Sequence, residues 1–84
     1  MNDRQRQELM ADLDRLHTTK LGEERIKRNL HLDVDDVVGW CAEKIREPRS
    51  EIARKGKNWK IIAAHNEITV NASSCTIITA HKIK

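Results

Sequence analysis

The chain is predicted to be an α+β domain: about three N-terminal helices packed on a C-terminal four-stranded antiparallel sheet. Three observations lead there. Up to Glu47 the apolar residues recur at helical spacing, after Pro48 they fall into short β-rich segments, and short polar turns separate those segments. With 84 residues the chain makes one domain, 1–84, divided into a helical half, 1–47, and a β half, 48–84. It has no Phe and no Tyr, so its small core must come from Leu, Ile and Val, with Trp40 and Trp59 as the only large rings.

The first helix is expected to be capped by Asn2 or Asp3 and to bury Leu9, Met10, Leu13 and Leu16, breaking near His17-Thr18-Thr19. One of the two threonines can cap the next helix. That second helix is predicted from about Lys20 to Leu30, with Leu21, Ile26 and Leu30 as its apolar contacts. Gly22, Arg25 and Asn29 share its polar face, where they could hold a phosphate or brace the neighbouring sheet. Asp33 is the expected cap of the third helix, whose apolar face would be Val34, Val37, Val38, Cys41 and Ile45, and Pro48 stops it. Capping accounts for the run Asp33, Asp35, Asp36 without a metal.

The strands are predicted at Glu51–Arg54, Trp59–Ala64, Ile68–Asn71 and Cys75–Ile83, and turns this short make a meander the simplest order. One sheet face takes the helices. The other would carry some of Lys57, Lys60, Glu67, Thr69, Asn71, Thr79 and His81. Alternation puts Thr79 and His81 on one face of the last strand and Ile78 and Ala80 on the other. The adjoining turn, Asn71-Ala72-Ser73-Ser74, offers hydroxyls, an amide and backbone N–H groups, and so a candidate anion site.

Charge divides the chain the same way. Residues 1–47 carry 9 Lys/Arg against 11 Asp/Glu, and residues 48–84 carry 7 against 2. A basic β half fits an anionic partner such as RNA; solvated lysines that guard edge strands from aggregation fit it equally. No apolar segment has the length of a signal peptide core or a membrane span, so the expectation is a cytoplasmic protein without a membrane partner. Cys41 and Cys75 lie far apart with no CxxC pattern and read as two thiols; neither a metal nor a cofactor is expected. Trp59 reads as a core residue rather than a base-stacking platform.

The segments LHTTKLGEERIKRNL, DDVVGWC, RKGKNW and NASSCTIITAHK together resemble a small family of uncharacterised bacterial proteins, from Leu16 to Lys84. At one remove, helices followed by four antiparallel strands with the ending Thr-Ile-Ile-Thr-Ala-His resemble the barnase–EndoU–colicin–RelE superfamily of metal-independent ribonucleases. That second resemblance implies an active face built from His17, Arg25, Lys57, Thr79 and His81, with Asn29, Lys60, Asn71, Ser73 and Ser74 binding phosphate or RNA. It implies attack of an RNA 2′-hydroxyl on the adjacent phosphate, with His17 and His81 moving protons in an order the sequence leaves open. It also implies a protein partner such as an antitoxin or inhibitor. The lack of a Tyr, a frequent helper in that superfamily, is a departure from its pattern. The rival reading is a non-catalytic interaction module that binds protein or nucleic acid through the same sheet, as a monomer or an edge-strand homodimer.

Overall fold

A computed structural model describes residues 3–83. Three α-helices, α1 (Asp3–Ala11), α2 (Lys20–Leu30) and α3 (Val37–Arg46), precede strands β1 (Glu51–Lys55), β2 (Asn58–Ala63), β3 (Asn66–Asn71) and β4 (Ile77–Lys82). All neighbours are antiparallel in the order β1-β2-β3-β4, so the fold is α+β with a meander sheet. One face of the sheet meets the helices through Ile52, Trp59, Ile61, Ile68, Val70, Ile77 and Ala80. Against them pack Leu9, Leu13 and Leu16, then Ile26 and Leu30, then Val37, Cys41 and Ile45. The opposite face bears Glu51, Ala53 and Lys55, then Asn58, Lys60 and Ile62, then Glu67, Thr69 and Asn71, then Thr79 and His81.

The first and third helices differ from expectation at their ends. The first breaks at Ala11, earlier than expected, and a 3-10 turn at Leu13–Arg15 carries Leu13 and Leu16 inward, so all three leucines are buried although they do not share one helix. The caps expected at Asn2 or Asp3 rest on side chains outside the described residues. Thr19 does cap α2, accepting from the Gly22 N–H at 3.0 Å. Gly22 owes its place to packing, because a side chain there would run into the Thr18 hydroxyl. Leu21, expected inside, is 75% exposed. It precedes Ile26 by five positions, which at 3.6 residues per turn sets it about 140° round the helix from the buried stripe. The cap of α3 is Asp36 rather than Asp33; its carboxylate accepts from the Gly39 N–H at 2.8 Å, and Val34 therefore lies before the helix and half-exposed.

Two hairpins close with two-residue turns. Gly56 at φ +60° turns β1 into β2, and Ala64 and His65, both at positive φ, turn β2 into β3. The third connection is irregular. Cys75, expected to open the last strand, is a buried turn residue at φ 60°, and the register shifts between Thr69 and Val70. The shift is a β-bulge at Ile78. It turns Ile77 into the core and leaves Ile78 half-exposed, so Ile78 and Ala80 do not share the buried role.

Candidate functional site

The site residues expected from the sequence fall into three groups. Lys60, Thr79 and His81 stand on the open face of the sheet. There Thr79 faces Thr69 across the β3–β4 pair, and His81 faces Glu67. The His81 Nε2 lies 3.1 Å from the Glu67 carboxylate, and the Lys60 ammonium donates to the Thr69 hydroxyl at 3.1 Å. Both pairs follow from the register, since residues directly opposite on one face have neighbouring side chains. A shallow hollow lined by Glu51, Ala53, Lys55, Lys60, Ile62 and Glu67 runs from here to the β1 edge.

The second group lies at the end of the sheet. His17 forms a parallel bridge with Thr76: its N–H donates to the Cys75 carbonyl, and its own carbonyl accepts from the Ile77 N–H. Its ring Nδ1 lies 2.9 Å from the Arg15 carbonyl, which can only accept, so in the neutral ring Nδ1 carries the proton and Nε2 accepts from the Thr76 hydroxyl at 3.1 Å. Thr76 touches the Ser74 hydroxyl at 2.7 Å, and Ser74 in turn reaches Asn71 Oδ1. The Lys57 carbonyl accepts from the Ala72 N–H, which joins the Lys57 turn to this cluster. The N–H groups of Ser73 and Ser74 both donate to Asn71 Oδ1, so the amides expected to meet an anion are used to build the turn.

The third group lines the outer edge of β4. Asn29 donates to the Ala80 carbonyl at 3.3 Å and so braces the sheet. Arg25 is one helical turn earlier on the same face and is exposed, with no partner among the described residues.

His17 and His81 are not brought together. His81 lies five positions beyond Thr76, the neighbour of His17, or roughly 15 Å along β4. One phosphate cannot bridge that span. What the open face offers His81 instead is Glu67, which alternation places on that face without indicating a role. Arg15 and Thr76 carry no signal in the sequence, and only the position of the His17 loop against β4 identifies them. Among the described residues no cluster of three or more His, Cys, Asp or Glu is arranged to hold a metal.

These elements, from the end of α1 to His81, are the stretch matched by a family model described as a protein of unknown function (DUF3781), which covers residues 10–81. The chain belongs to the DUF3781 family. No curated protein and no solved structure matches it. The DUF3781 match takes in all three residue groups and assigns none of them an activity. No helix among the described residues is long and apolar enough to cross a membrane.

Proposed function

We propose that this DUF3781 protein cleaves RNA by metal-independent transesterification on the open face of its sheet. The observation that carries the reading is the Glu67–His81 pair, a carboxylate and an imidazole 3.1 Å apart on neighbouring strands of an exposed face. In the proposed step Glu67 accepts the proton of the 2′-hydroxyl as its oxygen bonds to phosphorus. The bond from phosphorus to the 5′-oxygen breaks, and protonated His81 gives its proton to that leaving oxygen. The products are a 2′,3′-cyclic phosphate and a 5′-hydroxyl. Lys60 would balance the charge that grows on the phosphoryl oxygens, and Thr79 would donate a hydrogen bond. The basic β half favours the polyanionic substrate.

The test is cleavage of a mixed-sequence RNA by purified protein in chelator, with identification of the fragment ends. Cyclic phosphate ends, lost in both Glu67→Gln and His81→Gln, are expected. RNA that is bound but left whole would turn the reading into that of a binding module. Cleavage that both variants retain would remove Glu67 and His81 from the site.

A further inference from the structure

The two edges of the sheet are not alike. On β4, Ile77 donates to the His17 carbonyl, the Thr18 hydroxyl donates to the Ile77 carbonyl, and Asn29 holds the Ala80 carbonyl. Those bonds cover that edge from Ile77 to the Ala80 carbonyl. On β1 the two-residue turn makes Lys55 and Asn58 a hydrogen-bonded pair, and alternation then directs the main-chain groups of Ala53 and Glu51 toward β2 as well. The N–H and C=O groups of Ile52 and Arg54 consequently point away from the sheet and take no backbone partner among the described residues, and an unpaired row of this kind is a template for another strand.

We infer that this edge pairs with the same edge of a second copy, antiparallel, about a two-fold axis at Ala53. Three features select that partner and that register. First, the axis at Ala53 sets Ile52 of each copy against Arg54 of the other, so the outward N–H groups and carbonyls of both residues find partners. An axis at Ile52 would call on Ser50, whose N–H already donates to Glu47 and whose carbonyl accepts from Arg6. An axis at Arg54 would call on Gly56, whose carbonyl already accepts from the Arg54 side chain.

Second, the charges are self-complementary. The same axis sets Glu51 of one copy directly opposite Lys55 of the other, twice, at non-hydrogen-bonded positions where side chains approach closest. Charged edges commonly repel a second strand because like charges meet; here opposite charges do. Third, the residue on the axis is Ala53, small enough for two chains to approach at a non-hydrogen-bonded pair.

Pairing of this kind makes one eight-stranded sheet. The hollow lined by Glu51, Ala53, Lys55, Lys60, Ile62 and Glu67 reaches the β1 edge, so in the dimer it continues into its two-fold mate. Such a dimer forms whether or not the protein cleaves RNA.

Light scattering over a range of chain concentrations tests it. The wild type is expected to approach twice the 9.7 kDa chain mass as concentration rises. Glu51→Lys and Lys55→Glu each set like charges opposite one another and should raise the dissociation constant at least tenfold, and the double variant should restore the dimer. Arg54→Pro removes an outward N–H without touching the bonds to β2, and should give a monomer with an unchanged circular dichroism spectrum; it carries the test if a charge variant fails to fold. A wild type that stays monomeric at millimolar concentration overturns the inference. So does a dimer that Arg54→Pro leaves intact, or one that the charge swap does not restore.

Discussion

Glu67 and His81 stand directly opposite each other on β3 and β4, with their reactive atoms 3.1 Å apart and both side chains partly open to water. An exposed pair of this sort contributes under about 1 kcal/mol to stability. Its replacement should therefore separate function from folding. Glu67→Gln and His81→Gln are expected to leave the urea midpoint nearly unchanged while lowering RNA cleavage by roughly 10²-fold or more. Parallel unfolding curves and initial cleavage rates check this, and a large stability loss would make the pair structural.

Asp36, not Asp33, holds the start of α3. Asp36→Ala should cost about 1 kcal/mol in urea unfolding, because it leaves the Gly39 N–H without its acceptor. Asp33→Ala should stay within about 0.5 kcal/mol of the wild type. The contrast between the two curves is the measurement.

The β2–β3 turn keeps Ala64 at φ 50° and His65 at φ 64°, the left-handed region in which residues with a side chain are disfavoured. The type I′ geometry is the one that Asn-Gly adopts readily. Replacing Ala64-His65 by Asn-Gly should therefore stabilise the protein by about 1 kcal/mol, read as a rise in melting temperature. The carbonyl at position 65, which accepts from the Ile83 N–H, is kept in that variant.

Burial pushes the Cys41 thiol from 9.0 up to about 12. Its folded value is raised above the unfolded one, so the stability it contributes is present below pH 9 and is lost as pH rises from 9 to about 12. The loss is at most about 1.4 kcal/mol per pH unit, because one proton is involved. Urea unfolding between pH 8 and 11 should show this decline, and Cys41→Ala should flatten it. Both cysteines are buried, so a thiol reagent should label native protein slowly at pH 8 and both positions rapidly in urea.

Much of the fold is legible in the sequence because its signals are local. Ile26 and Leu30 lie on one face at helical spacing after a Thr that caps, and the limits Lys20–Leu30 come from those residues alone. The meander is legible for the same reason, since its turns are too short for anything but neighbouring strands. Other features depend on geometry that spacing does not carry. Asp33, Asp35 and Asp36 are each fit to cap α3, and only the bond from Gly39 selects Asp36. Nothing in the spacing of Thr69, Val70 and Ile77 announces a bulge. The candidate site is the least legible part. Residue type groups His17 with His81, whereas strand length keeps them apart, and Glu67 gains its partner only through a register that pairs it with a residue 14 positions later.

The closure of the β4 edge by the His17–Thr18 segment also bears on how long the molecule stays folded. Each hairpin turn joins near neighbours, but Thr18 meets Ile77 across 59 positions. Entropy makes so large a loop costly to close, and the meander can pair without it. This contact should form after the rate-limiting step. Weakening it would then leave the refolding rate almost untouched and speed unfolding, so that resistance to proteolysis and heat, which are matters of lifetime, depends on the few bonds that hold this segment at the sheet's edge.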